Sequence, residues 1–373
     1  MKLLYTNFHS GDGGGHTTYI RTLAGALAGR YEVHVAAPPG SRLVLEARTL
    51  EGVHVWDQPF PNGLNRLPAR ARARAHLKAL LREQAFDIVH VNGSADHRLV
   101  LSSIGHLSRK PRIVLTKHNS KPMSGLGHWW RARRTDQVIA VCEYTRRALM
   151  RTAYRRCALA TVGNGIDTDY FAPQQDVHDA SWYPGGEWRK PESLLLGSTA
   201  GTAAYKGWMD LVEALALLPA ARRVHIHLLM AGRLPDKSFR ERIAALKLTE
   251  QIHFTGLMTD VRPAVATMDA GFVLSWDVET ISFACREMMA MGKPVLVTDY
   301  AGLPENIRPG VDGWCVPARD RVAMAQMLEE LLQQREALPA MGREARRHAE
   351  ISFGLQPFVE RTEKVYLDLL QRD

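Results

Sequence analysis

Short apolar runs of four to six residues recur along the chain, most of them rich in β-branched or leucine side chains. In the first half they are "LLYTNF", "EVHVAAP", "VHVWDQ", "DIVHVNG", "RIVLTKHN", "QVIAVCE" and "ALATVGNG". Stretches with helical periodicity separate several of them, as after "LLYTNF", where Tyr19, Ile20, Leu23 and Leu27 form a stripe. Strands that read as unbroken apolar runs and alternate with helices predict a parallel sheet covered on both faces. Residues 166–192, "IDTDYFAPQQDVHDASWYPGGEWRKPE", break the rhythm with Pro, Gly, Asp and Trp and read as a linker or crossover. The alternation then restarts with "SLLLGSTAG", "VHIHLLMAG", "IHFTG", "AGFVLSW", "PVLVTD" and "GWCVPA", and the last forty residues are helical. Two Rossmann-like α/β domains facing across a cleft are the expectation.

Composition adds limits. A length of 373 residues suits two domains. No run of 18 apolar residues is present, and the amino terminus is too polar for a secretory segment. Cys142, Cys157, Cys285 and Cys315 are scattered without metal-ligand spacing, which suits a reducing, cytoplasmic setting. The net charge of +9 points to an anionic partner without choosing one. No recognisable nucleic-acid-binding module accompanies it, so no nucleic acid is expected.

Four motifs carry candidate chemistry. "HSGDGGGHTTYI" places glycines between a strand and a helix, either a phosphate cradle or a plain turn. It departs from the dinucleotide fingerprint, because His16 stands at the third glycine position counted from Gly11 and the next strand ends Ala-Ala-Pro with no acid. Asp167 and Asp169 form an isolated DxD pair, more in keeping with a solvated loop than with a cation site. Lys206 and Gly207 open a helix, where the lysine either meets an anion or is solvated. Glu279 and Glu287 are eight residues apart, which on one helix is about 800°, or about 80° out of register. A helix starting near Ser282, capped by Thr280 or Ser282, puts Glu279 on the preceding loop and Glu287 in the second turn. The amides of Ile281, Ser282 and Phe283 are then free for a phosphate; the alternative is a capping acid and a surface acid.

These residues resemble the retaining GT-B-fold glycosyltransferases of family 4, of the type that builds lipopolysaccharide and cell-envelope glycans. The family's E-x7-E motif falls on Glu279 and Glu287, followed by "MMAMGKPVLVTDYAGLPENIRPGVDGWCVP". "DIVHVNGS", "TDQVIAVCEYTRRAL", "VGNGIDTDYFAP", "YKGWMDLVEAL" and "LLMAGRLPDKSFRERIAALKL" match in family order over nearly the whole chain. The resemblance implies an acceptor-side domain over 1–170, a linker over 171–191 and a nucleotide-sugar domain over 192–351. A last helix, about 352–373, packs back on the first domain. It also makes Asp167-x-Asp169 part of the inter-domain connection and not a metal site.

The same resemblance assigns Glu287 to the ribose hydroxyls, and Glu279 with the amides of Ile281, Ser282 and Phe283 to the sugar and diphosphate. It gives Lys206 the diphosphate charge, Gly13 and Gly14 an approach to it from the other domain, and His118 a place near the transferred sugar. It implies no cofactor and no metal, a UDP-sugar donor first and a GDP-sugar second, and same-face substitution. Two departures bear on the donor: Glu279-Thr280-Ile281-Ser282 replaces the common E-G-F-G, and Gly201 stands where an arginine is common. Arg233 is a candidate substitute for that charge.

On the acceptor side, Arg66, Arg70, Arg74, Lys78 and Arg82 recur every four residues, with Leu77, Leu80 and Leu81 turned elsewhere. Trp129 and Trp130 stand beside Arg131, Arg133 and Arg134. Tryptophan beside arginine suits an anionic membrane surface, and a solvated basic face is the alternative. The expectation is a peripheral enzyme at the inner face of the cytoplasmic membrane, acting on a phosphorylated or lipid-linked glycan such as lipopolysaccharide core or O-antigen. The rivals are a family 4 transferase for a soluble acceptor, a nucleotide-sugar epimerase and a non-catalytic nucleotide-sugar binder.

Overall fold

The computed structural model describes residues 1–63, 66–173, 190 and 192–372. The expected linker therefore lies mostly, over 174–189 and at 191, outside the described residues. Two compact units are present, Met1–Gly165 with Leu355–Asp373, and Ile166–Gly354.

The first unit runs β1 (Lys2–Thr6), α1 (Gly14–Ala28), β2 (Glu32–Ala37), α2 (Arg42–Ala47), β3 (Val53–Asp57), α3 (Leu67–Gln84) and β4 (Ile88–Val91). It continues with α4 (Ser94–Ser103), β5 (Arg112–Lys117), α5 (Leu126–Ala132), β6 (Gln137–Ala140), α6 (Glu143–Met150) and β7 (Ala158–Thr161). All strand pairings are parallel, in the order β3-β2-β1-β4-β5-β6-β7. Separate apolar clusters cover the two faces, one around Leu77, Leu81, Val89 and Leu115, the other around Tyr19, Ile20, Leu23 and Val35.

The second unit runs β8 (Leu194–Ser198), α7 (Trp208–Leu217), α8 (Ala220–Arg223), β9 (Ile226–Ala231), α9 (Lys237–Ala245), β10 (Ile252–Gly256) and α10 (Arg262–Thr267). It continues with β11 (Ala270–Val273), α11 (Phe283–Ala290), β12 (Val295–Thr298), β13 (Gly313–Val316), α12 (Arg321–Gln333) and α13 (Leu338–Phe353). Its parallel sheet is ordered β10-β9-β8-β11-β12-β13. The last helix, α14 (Leu355–Leu370), belongs to the first unit, where the Tyr366 hydroxyl lies 3.1 Å from that of Tyr5 and 2.6 Å from His90 Nδ1.

All thirteen apolar runs named above become strands, and both sheets are doubly wound. The strand order reverses between β1 and β4 in one unit and between β8 and β11 in the other. The loops leaving these strands diverge to opposite faces and open a crevice at the carboxyl end of each sheet.

Candidate active site

In the second unit the two crevice loops are residues 199–207, after β8, and 274–282, after β11. Gly207 locks them together. It has a φ of 72°, and a Cβ there would stand 2.0 Å from the Leu274 carbonyl oxygen. Only glycine takes that conformation at that approach. The Trp276 amide donates to the Tyr205 carbonyl at 3.0 Å, tying the loops a second time.

This contact brings Lys206 to Glu279: Nζ lies 2.6 Å from Oε2, with both side chains largely buried. The Ser275 hydroxyl donates to the same oxygen at 3.4 Å. Immediately before Glu279, Val278 takes a φ of 58°, and its amide donates to Asp277 Oδ1 at 2.7 Å. A β-branched residue in the left-handed region is strained, and this strain sits beside the site.

Ser282 is the N-cap of α11, its hydroxyl accepting from the Cys285 amide at 3.4 Å. The amides of Ile281 and Ser282 have no partner among the described residues, so the helix start presents free donors next to Glu279. Thr280 and Ile281, at two of the positions where the family often carries E-G-F-G, are 2% and 5% exposed. Their side chains are turned into the fold and do not crowd the crevice.

Glu287 lies in the second turn of α11, and its carboxyl has no hydrogen-bond partner among the described residues. Burial pushes its carboxyl up to about 7. Lys206 also lines a cavity of about 400 Å³, with Gly201, Thr202, Gly232, Arg233 and Met258 among others. Arg233 is exposed there without an ion pair among the described residues, while its carbonyl accepts from the Thr202 hydroxyl at 2.6 Å.

The corresponding crevice of the first unit holds Gly13, Gly14 and His118. Gly13 and Gly14 take φ of 69° and 49°, and a Cβ on Gly13 would meet the Thr17 hydroxyl at 2.5 Å. Asn92 Nδ2 donates to the carbonyls of Thr6 and His90, which leaves Oδ1 to accept from His118 Nε2 at 2.9 Å. The sequence reading assigned no role to His9 and His16. The His16 ring lies 4.2 Å from that of His118 and 4.8 Å from that of His9, and its buried Nδ1 lacks a partner among the described residues. Burial, with mutual repulsion and Lys117, pushes His16 down to about 3 and His118 well below the usual histidine range. Lys117 is itself lowered to about 8, by burial and then Lys121. The signal for His16 was its place directly after the glycine run.

The expected acceptor or membrane face divides. On α3, Arg74 is exposed, Arg70 and Lys78 are half-buried, and Ala73, Leu77, Leu80 and Leu81 face the core. On α5, the guanidinium of Arg133 lies over the Trp129 ring at 3.9 Å, and that of Arg134 over Trp130 at 4.5 Å. Arg131 is a correction: it is 7% exposed, and its guanidinium donates to the Ser94 carbonyl and hydroxyl at 3.0 and 2.7 Å. It holds α5 on α4 and presents no charge outward.

Asp167 Oδ1 accepts from the amides of Asp169 and Tyr170, an Asx turn that occupies one carboxylate of the DxD pair. Glu32, His34 and His54 bring possible metal-ligand atoms within 4.8 Å of one another. Trp56 Nε1 donates to His34 Nδ1 at 2.9 Å, so the neutral ring carries its proton on Nε2, which faces Glu32 Oε1 at 3.0 Å. Trp56, His34 and Glu32 form a hydrogen-bond chain that turns a protonated nitrogen toward the would-be ion, and the His54 ring only stacks on His34.

The family models decide what this arrangement is. One described as Glycosyltransferase Family 4 matches residues 13–170, and one described as Glycosyl transferases group 1 matches 191–334. The chain belongs to glycosyltransferase family 4. It is a GT-B-fold glycosyltransferase that takes its sugar from a nucleotide sugar.

Full-length relatives agree. The GDP-mannose-dependent alpha-(1-6)-phosphatidylinositol monomannoside mannosyltransferase of Mycolicibacterium smegmatis is 27% identical over 361 residues, 91% of each chain. The phosphatidyl-myo-inositol mannosyltransferase of Mycobacterium leprae is 25% identical, covering 91% of this chain and 90% of that one. Among solved structures, Anabaena Alr3699/HepE in complex with UDP superposes with a TM-score of 0.83 at 17% identity, covering 99% and 100% of the two chains. WaaG, a glycosyltransferase involved in lipopolysaccharide biosynthesis, gives 0.71 at 17% over the full length of both. At that identity these two speak for the fold alone.

Proposed function

We propose that this glycosyltransferase is a retaining, metal-independent hexosyltransferase of cell-envelope glycan assembly. Its donor is a UDP-sugar, with a GDP-sugar as the alternative. Its acceptor is a phosphorylated or lipid-linked glycan, reached from the cytoplasm at the inner face of the membrane. The carrying observation is the Lys206–Glu279 contact beside the free amides of Ile281 and Ser282.

As the bond from the anomeric carbon to the diphosphate breaks, charge grows on the leaving phosphate. Lys206, Arg233 and the amides at the start of α11 stabilise it, a role that the Lys206–Glu279 contact and the cavity beside Arg233 support. Glu287, desolvated and without a partner, accepts the two ribose hydroxyls. Glu279 holds the sugar and does not act as a nucleophile. The acceptor oxygen then bonds on the face the diphosphate leaves, and its proton passes to a donor phosphate oxygen. In the first unit Gly13, Gly14 and His118 are assigned to phosphate and sugar.

For the donor, the HepE structures hold UDP and UDP-glucose, while the M. smegmatis relative is named for GDP-mannose. For the acceptor, the two mycobacterial relatives are named for phosphatidylinositol substrates and WaaG for lipopolysaccharide. The basic faces of α3 and α5 suit an anionic surface. Among the described residues no helix is long and apolar enough to cross a membrane.

The test is a panel of UDP- and GDP-sugars read by nucleotide release with envelope glycolipid acceptors, followed by NMR of the product's anomeric centre. Retained configuration and full activity after dialysis against EDTA are expected. An inverted product, or activity restored only by added metal, overturns the mechanism.

A further inference from the structure

A second cavity, of about 670 Å³, lies in the first unit between the loop Met123–Leu126 with α5 and the 3-10 turn Ala153–Arg156. That turn leads directly into β7. Its other wall follows His118 at the carboxyl end of β5, and Arg131 of α5 donates to Ser94 at the start of α4.

Its lining combines two chemistries. Arg151, Arg155 and Arg156 are exposed along one side, and no acid lines the cavity. These arginines, with Arg133 and Arg134, have no ion pair among the described residues, and the nearby carboxylate of Glu143 is held by Arg146 and Arg147. On the other side, Leu126 is 87% exposed, the most of any large apolar side chain among the described residues, and Trp129 is 44% exposed. Between them His128 Nδ1 lies 3.3 Å from the hydroxyl of buried Tyr154, which anchors the floor.

An inorganic anion has no use for Leu126 and Trp129, and a bare hydrocarbon none for three unpaired guanidinium groups. One ligand class uses both: a phosphate ester with a hydrocarbon chain. Arginine forks match phosphate oxygens in pairs, and tryptophan favours the boundary between head group and chain. We propose that this cavity is a phospholipid site, with the phosphate on Arg151, Arg155 and Arg156 and the first methylenes of the chain on Leu126 and Trp129. It deepens the membrane reading above and rests on it for its use. It gives the enzyme a discrete head-group site that is distinct from the diffuse basic face of α3 and remote in sequence from the donor residues.

The test is calorimetric titration of the full chain with monomeric dihexanoyl phosphatidylglycerol, beside inorganic phosphate and dihexanoyl phosphatidylcholine. One phosphatidylglycerol per chain is expected. The double variant Arg155→Gln/Arg156→Gln should bind it about tenfold more weakly, as expected for the loss of two charge-assisted donors. Arg70→Gln/Arg74→Gln should leave it unchanged. Leu126→Gln, at a side chain 87% exposed, should weaken phosphatidylglycerol several-fold and leave inorganic phosphate as it was. Thermal melts followed by circular dichroism, measured in parallel, report that each variant is folded. Equal phosphatidylglycerol binding by the arginine double variant overturns the site. Inorganic phosphate bound as tightly as the lipid, or displacement of the lipid by oligodeoxythymidylate, does the same. Flotation with phosphatidylglycerol vesicles separates the two readings. Flotation without one-to-one lipid binding removes this site and keeps the membrane reading; lipid binding without flotation keeps the site and removes the membrane reading.

Discussion

Lys206 and Glu279 meet at 2.6 Å although 73 residues separate them, because Gly207 lets the two crevice loops of the second sheet touch. The pair is pre-organised: each charge is already positioned and partly desolvated before a donor arrives. Glu279→Gln and Lys206→Met should each lower kcat by about 100-fold, the scale of losing one group aimed at developing charge. The double variant should lose much less than the product of the two, since the residues act as a unit. Steady-state kinetics with donor varied checks this. Near-normal turnover by Glu279→Gln removes its assignment.

Glu287 makes donor binding depend on pH. Its carboxyl titrates near 7 because burial disfavours the charged form, and only the carboxylate accepts from two hydroxyls. Donor affinity should rise from pH 6 to 8 and level off above, with the bound donor lowering the carboxyl. The sign is opposite for folding: the folded-state value exceeds the unfolded one, so stability of the free enzyme falls as pH rises from the ordinary carboxylate range to about 7. Glu287→Gln should abolish both trends and weaken the donor about tenfold, the loss of a charged hydrogen-bond acceptor. Calorimetric titration with UDP and thermal melts across that range measure the two. A variant that keeps the wild-type pH trend places the titrating group elsewhere.

The strands were legible because a parallel sheet buried on both faces writes itself as continuous apolar runs, here from "LLYTNF" to "GWCVPA". Ser282 was legible as one of two possible caps, because a cap is a local event. Contacts between loops were not. Nothing near Lys206 in sequence names Glu279, and nothing near Arg131 names Ser94, 37 residues earlier, so a buried strut read as a surface charge. The inward turn of Thr280 and Ile281 also escaped a linear reading, since it depends on how α11 seats on its sheet.

Gly207 joins fold to site. Gly207→Ala would cost about 1 kcal/mol for the left-handed backbone and about 1–3 kcal/mol more for the displacement forced by the Leu274 carbonyl. The melting temperature should fall by several degrees. Donor turnover at a temperature where the variant is folded should fall too, because the loops carrying Lys206 and Glu279 must part. A drop in stability with kcat unchanged uncouples the contact from the site.

Val278 separates strain from support. At a φ of 58° its branched side chain is costly, and a glycine there removes the cost while freeing the backbone next to Glu279. Val278→Gly should stabilise the protein by about 1 kcal/mol yet lower kcat several-fold, with the donor KM little changed. Divergence is the informative result, because a purely structural residue moves stability and turnover in the same direction. Melting curves with kinetics on one preparation decide it. If stability and kcat rise together, the strain is incidental and Glu279 is held by Lys206 and Ser275 alone.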